Sequence, residues 1–150
     1  MSPTFSNVLL HVVFSTKDHR PLIGNSFRPQ TFGYMGGIAR KEFGKALLIG
    51  GTSNHVHGLL SINTNISIGQ AVSKLKSLSS GWIHRSFANA GDFAWQEGYG
   101  VFSVSSSKLA EAQGYISRQE EHHKVISVEE EFVNFLERHG IQYDRDKIWD

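Results

Sequence analysis

Two kinds of apolar periodicity alternate along this chain, and their order restricts the fold more than any other feature. Residues 7–15, with Val8, Leu9, Leu10, Val12, Val13 and Phe14, form a β-branched apolar run suited to a strand buried on both faces. Residues 16–25, with their charges, Pro21 and Gly24, read as a loop. Ser26 is a candidate N-cap for a helix to about Phe43 that Gly44 can close, although Gly33, Gly36 and Gly37 lower its intrinsic propensity. Residues 46–50 and 56–62 read as two strands of an antiparallel hairpin joined through residues 51–54. Ser67 is placed to cap a helix in which Ile68, Ala71, Val72, Leu75, Leu78 and Trp82 recur at steps of three and four. An aromatic, glycine-bearing loop then leads to a short strand at residues 101–104. Ser105, Ser106 and Ser107 precede a helix from Lys108 to about His123, and Ser127 with Glu130 forms a capping box for a last helix to about Arg138.

The order β-α-β-β-α-β followed by two helices is that of the ferredoxin-like split βαβ. The expected class is therefore α+β: a four-stranded antiparallel sheet with helices on one face, plus C-terminal helices. No repeat, low-complexity tract or linker interrupts the chain, and its 150 residues are expected to form a single domain, 1–150. The absence of cysteine excludes thiolate metal sites and disulfide scaffolds and suits a reducing compartment. No apolar stretch approaches the roughly 20 residues that span a bilayer, and residues 1–6 lack the pattern of a secretory signal. A soluble, cytoplasmic protein is expected.

Function has to be sought in a site, because this fold hosts many activities. Within the hairpin strand, Asn54-His55-Val56-His57-Gly58 places two imidazoles at i and i+2, on one side of the strand and about 6.5–7 Å apart at Cα, where both can reach one divalent ion. Taken alone, paired strand histidines are more often packed or solvent-facing. A second pair lies far along the chain: Tyr115 and Gln119 are four residues apart in an expected helix, hence one turn apart on one face. If that face covers the histidine strand, Gln119 can add a carbonyl oxygen to the ion and Tyr115 stands beside it. A phenol of pKa ~10 is a poor nucleophile at neutral pH, but a metal-polarised phosphate makes it a workable one. His122 and His123 follow closely enough to offer an imidazole, and His11 reads as a buried strand residue near the site. Glu129, Glu130 and Glu131 suit the first turn of a helix electrostatically, and no catalytic role is expected of them.

The net charge of +1 does not announce a nucleic-acid binder, but Lys74, Lys76, His84 and Arg85 cluster in the middle while glutamates crowd the C-terminal part. These basic residues suit either a local phosphate-binding face or a merely solvated helix surface.

Taken together, the segments LLHVVFSTKDHRPLI, NHVHGLL, KLKSLSSGWIH, WQEGYGVFSVS, YISRQEEHH and VEEEFVNFLERHGIQYD span nearly the whole chain. In this order they resemble the single-tyrosine HUH transposases of the IS200/IS605 type, including their relatives associated with repetitive extragenic palindromes. The resemblance implies that His55 and His57 are metal ligands, Gln119 the third ligand and Tyr115 the nucleophile. It implies cleavage and rejoining of single-stranded DNA at element ends through a 5′-phosphotyrosine, with Mg²⁺ or Mn²⁺ as cofactor. It further implies hairpin-ended single-stranded DNA as partner, and a homodimer in which the tyrosine helix of one subunit completes the histidine site of the other. The apolar first strand is compatible with two sheets joined edge to edge. Lys74, Lys76, Arg85 and Arg40 become candidate phosphate contacts, and Trp82, Trp95 and Tyr99 candidate stacking platforms.

Two positions depart from the family pattern: Asn54 stands where Asp is usual, and Gly58 where a bulky apolar residue is common. Two other functions compete. One is a domesticated, catalytically reduced protein that binds single-stranded DNA hairpins without cutting. The other, a histidine-triad phosphoryl-transfer enzyme, lacks its third histidine because Leu59 occupies that position.

Overall fold

In the computed structural model, which describes residues 2–149, the central strand of the sheet is the apolar run near the start of the chain. Strand β1 (Leu9–Ser15) is buried along its whole length, as a strand sandwiched between two helical layers must be. It pairs antiparallel with β3 (His55–Ile62) on one side and with β4 (Gly100–Ser103) on the other. Strand β2 (Gly44–Gly51) pairs with the outer edge of β3, giving the order β2-β3-β1-β4. This is the antiparallel split βαβ sheet that the sequence leads one to expect. Because β3 and β4 occupy both edges of β1, that strand cannot join two sheets edge to edge, which corrects one expectation.

Helices α1 (Arg28–Glu42) and α2 (Ile68–Ser86) cover one face. Leu10, Val12 and Phe14 of β1 and Val56, Leu60 and Ile62 of β3 point to this side, where they bury Met35, Ile38, Ala39, Ala71, Val72, Leu75 and Ile83. The α2 cap is reciprocal: Gln70 N–H donates to Ser67 Oγ at 3.1 Å, and the Ser67 N–H donates to Gln70 Oε1 at 3.2 Å. Ser26 does not cap α1. Phe27 occupies that position with no side-chain cap hydrogen bond, and Pro29 in the first turn supplies the preset backbone angle instead. Gly44 likewise begins β2, and Phe43 ends the helix.

The opposite face is covered by the C-terminal helices, a layer beyond the one-sided cover of the basic split βαβ. The single helix expected over residues 108–123 is broken: a 3-10 turn (Ser106–Lys108) leads into α3 (Leu109–Ser117), and α4 (Gln119–His122) follows after Arg118, whose φ of −103° and ψ of 21° leave the helical range. Helix α5 (Val128–Arg138) begins at Ser127, whose hydroxyl accepts from the Glu130 N–H at 3.2 Å. Its Phe132, Phe135 and Leu136 pack on Val13 and Phe102.

Two glycines let these helices approach the sheet. A Cβ on Gly50 of β2 would stand 2.9 Å from Ile116 Cγ2 of α3 and 3.0 Å from its carbonyl oxygen. A Cβ on Gly100 of β4 would stand 2.7 Å from Cε1 of Phe132 in α5. No helix among the described residues is long and apolar enough to cross a membrane.

Candidate active site

Strand alternation puts His55, His57 and Leu59 of β3 on the face away from α1 and α2, beside His11 and Val13 of β1, whose register partners are Leu59 and His57. Both β3 histidines are fully buried. Gly58 points to the other face, where an added Cβ would meet only the Leu60 side chain at 3.4 Å, so its departure from the family pattern lies away from the imidazoles.

Helices α3 and α4 bring the second half. Despite the break at Arg118, the backbone keeps turning: the His122 N–H donates to Arg118 O at 2.9 Å and the His123 N–H to Gln119 O at 3.0 Å. Gln119 is buried with Oε1 2.9 Å from His55 Nε2. The Tyr115 ring lies 5.8 Å from that of His57, centroid to centroid. Tyr115, Gln119, His55 and His57 therefore converge within one chain, as the spacing argument requires. The tyrosine reaches its own histidine pair without a second subunit.

At the centre of this group stands Glu131 of α5, for which no role beyond helix electrostatics was expected. It is 2% exposed. One carboxylate oxygen, Oε1, lies 2.9 Å from His57 Nε2, 3.1 Å from His123 Nε2 and 3.7 Å from His55 Nε2. The other, Oε2, accepts from the Tyr115 hydroxyl and, at 3.1 Å, from the Gln119 amide, with His122 Nε2 at 3.5 Å. A signal for it exists in the sequence. Val128, Glu131, Phe132, Phe135 and Leu136 follow the spacing of an apolar helix stripe and are all buried, so Glu131 is a carboxylate on the side facing the core. A charge in that position needs partners.

The second layer orients the first. His57 Nδ1 lies 2.7 Å from His11 Nε2. His55 Nδ1 lies 2.9 Å from Asn54 Oδ1 and 2.9 Å from Thr52 Oγ1. Asn54 thus supplies the oxygen acceptor that an aspartate would, without the charge. Burial, reinforced by the nearby His57, pushes the pKa of both His55 and His11 down to about 3, so both rings are neutral at physiological pH. Burial also raises the Tyr115 phenol well above its ordinary value, and the hydrogen bond and charge of Glu131 raise it further. Burial alone would raise Glu131 too, but the imidazoles of His123 and His57 and the Tyr115 hydroxyl hold its carboxyl far below the usual range. Ligand atoms of His55, His57, His123 and Glu131 all lie within 4.8 Å of one another, a set of imidazole and carboxylate donors fit for a divalent cation.

On its outer side Tyr115 borders a cleft of about 510 Å³ that is also lined by Lys108, Arg138, His139, Ser103 and Ser105. The basic residues singled out from the sequence sit elsewhere. Lys76 is committed inside the protein: its ammonium donates to the carbonyls of Gln96, Glu97 and Gly98 at 2.7, 3.1 and 2.7 Å. Lys74 pairs with Glu42 at 3.4 Å, and Arg40 and Arg85 are exposed on α1 and α2. Trp95 packs edge-on against Phe14 and Phe93 while donating to Ser79 Oγ at 3.0 Å, and half-buried Trp82 stacks on Tyr34 with centroids 4.4 Å apart. Tyr99 is exposed, near the Lys76 ammonium.

No curated protein matches the sequence. Solved structures share the fold, two transposases among them. One is a candidate transposase from Deinococcus radiodurans R1, with a TM-score of 0.59 and 21% identity, the match covering 79% of this chain and 95% of that one. The other is a REP-associated tyrosine transposase solved bound to a REP hairpin, with a TM-score of 0.57 and 14% identity, covering 100% of this chain and 93% of that one. The family model of IS200-like transposases matches residues 4–119, from before β1 through Tyr115 to Gln119. With that span covering most of the chain, the protein belongs to the IS200-like transposase family.

Proposed function

We propose that this transposase cleaves and rejoins single-stranded DNA at the ends of its element, in the cytoplasm and as one catalytic domain, through a 5′-phosphotyrosine formed on Tyr115. His55, His57 and Gln119 hold Mg²⁺ or Mn²⁺ in this reading. The observation that carries it is the meeting of a phenol, an amide oxygen and two fully buried imidazoles in one cluster.

The Tyr115 oxygen attacks phosphorus, the bond to the 3′ oxygen breaks, and a free 3′-hydroxyl leaves. Exchange of one phosphodiester for another conserves its bond energy, so a second 3′-hydroxyl can reverse the step and join new strands. When bound, a divalent cation would orient the scissile phosphate, offset its developing negative charge and ease ionisation of the phenol. Glu131 Oε2, already the acceptor of the Tyr115 hydroxyl, holds and orients the phenol, whose proton ends on the departing 3′ oxygen. In the cleft beside Tyr115, Glu111 pairs with Lys108 at 3.4 Å, which leaves Arg138 as the cation there for the phosphates of an approaching strand. The likeness to a transposase solved on a REP hairpin supports hairpin-ended DNA as the substrate class. The geometry favours assembly of the site in cis, and a homodimer that exchanges its tyrosine helices is not needed to gather these groups.

The test is incubation of labelled single-stranded element ends with wild type and Tyr115→Phe in Mn²⁺ or Mg²⁺. A covalent adduct with wild type alone supports the reading. Hairpin binding without any adduct favours the non-cutting, domesticated protein.

A further inference from the structure

From the geometry we infer that the chain beyond the span matched by the family model, from the end of α4 into α5, adds two ligands to the metal site. These are the carboxylate Oε1 of Glu131 and the Nε2 of His123. The inference rests on the metal reading above and extends it.

The argument is one of unmatched lone pairs. Gln119 donates its amide N–H to Glu131 Oε2, so its Oε1 faces His55 Nε2 as an acceptor only. The other nitrogen of the His55 ring faces Asn54 Oδ1, also an acceptor, and Thr52 Oγ1, whose hydroxyl donates to that same Asn54 oxygen at 3.0 Å. A neutral imidazole has one N–H and cannot satisfy both. His123 repeats the problem when its ring is neutral: its Nδ1–H donates to the Ile126 carbonyl at 2.7 Å, so its Nε2, 3.1 Å from Glu131 Oε1, presents a lone pair to that carboxylate. Oxygen and nitrogen lone pairs thus converge on the space between His55, His57, His123, Gln119 and Glu131. A cation resolves every one of these oppositions together.

Glu131 then divides its oxygens. Oε1 turns to the cation and Oε2 keeps the Tyr115 hydroxyl, which ties the nucleophile to the metal through one side chain. Glu131 is in this respect a positioning residue for Tyr115. A third imidazole also shifts preference away from Mg²⁺, which keeps most of its waters and favours oxygen, toward Mn²⁺.

Mn²⁺ binding, followed by calorimetry and by the electron paramagnetic resonance of the free ion, tests this without reference to activity. Wild type should bind Mn²⁺ more tightly than Mg²⁺. Glu131→Gln and His123→Ala should each weaken Mn²⁺ binding by about tenfold or more, and His55→Ala should abolish it. Melting curves in EDTA verify folding, and Glu131→Asp, which retains the charge but withdraws the oxygen by a methylene, should fall between wild type and Glu131→Gln. If His55→Ala loses the ion while the Glu131 and His123 variants bind like wild type, the added ligands are refuted and the histidine-glutamine site stands. If wild type binds neither ion, the metal reading fails and this inference with it.

Discussion

The hydroxyl of Tyr115 donates to Oε2 of Glu131, a residue of a different helix, and this pairing sets the resting state of the nucleophile. It keeps the phenol protonated and aimed into the histidine cluster. The same cluster depends on close helix approach and on a second layer of polar contacts, and each of these has a measurable consequence.

Gly50 is the seat of α3. Gly50→Ala places a methyl group 2.9 Å from Ile116 Cγ2 and 3.0 Å from its carbonyl oxygen, so the helix carrying Tyr115 has to lift. Overpacking of this kind costs about 1–3 kcal/mol. The variant is expected to melt at a lower temperature and to form DNA adduct more slowly than its folded fraction accounts for, as read by calorimetry and single-turnover cleavage.

His11 acts through His57. Its Nε2 lies 2.7 Å from His57 Nδ1, which holds the ring with Nε2 toward the site. Partners of this kind are worth about 10–100-fold in metal affinity. His11→Phe should fold, weaken Mn²⁺ binding within that range, and slow cleavage at limiting metal more than at saturation. Unchanged affinity would remove His11 from the site.

Acid should unfold the metal-free protein early. His11 and His55 hold folded pKa values of about 3 against 6.5 in the unfolded chain, so between those limits the unfolded state binds more protons and stability rises with pH. Deep in that window each ring contributes about 1.4 kcal/mol per pH unit. Glu131, whose carboxyl is held below its ordinary 4.5, adds to the loss on further acidification. His123, raised through Glu131 although burial opposes it, works in the other sense: its contribution is present below pH 6.5 and is lost as pH rises through its folded value. Urea titrations in EDTA should therefore give a stability that falls from pH 6.5 toward pH 4, and His55→Ala should flatten the slope.

Lys76 and Arg85 should separate in their behaviour. Lys76→Met removes the donor to three carbonyls and is expected to cost about 1–3 kcal/mol of stability. Arg85→Ala, at an exposed position, should leave stability unchanged. If Arg85 meets phosphate, its loss lowers the salt slope of DNA binding by about 1.

Much of this was legible in the residues themselves. The strands and α2 are local matters of periodicity and capping, and the face shared by His55 and His57 follows from strand geometry alone. Gln119 and Tyr115 were placed by helix spacing, which survived the break at Arg118 because the backbone keeps turning through Gln119. Glu131 was not read, since its partner His57 lies 74 residues away and three consecutive glutamates at a helix start are ordinary electrostatics. Its position on the apolar stripe of α5 was the available clue. Lys76 stands among the candidate phosphate contacts in the sequence because sequence does not reveal which lysine finds internal carbonyls.

The central claim, that Tyr115 is the nucleophile of this cluster, is tested most directly by proteolysis of the protein-DNA adduct and mass spectrometry of the nucleotide-bearing peptide. The account predicts a 5′-phosphate ester on Tyr115. An ester on Tyr34, Tyr99 or Tyr143, or an adduct that persists in Tyr115→Phe, would contradict it.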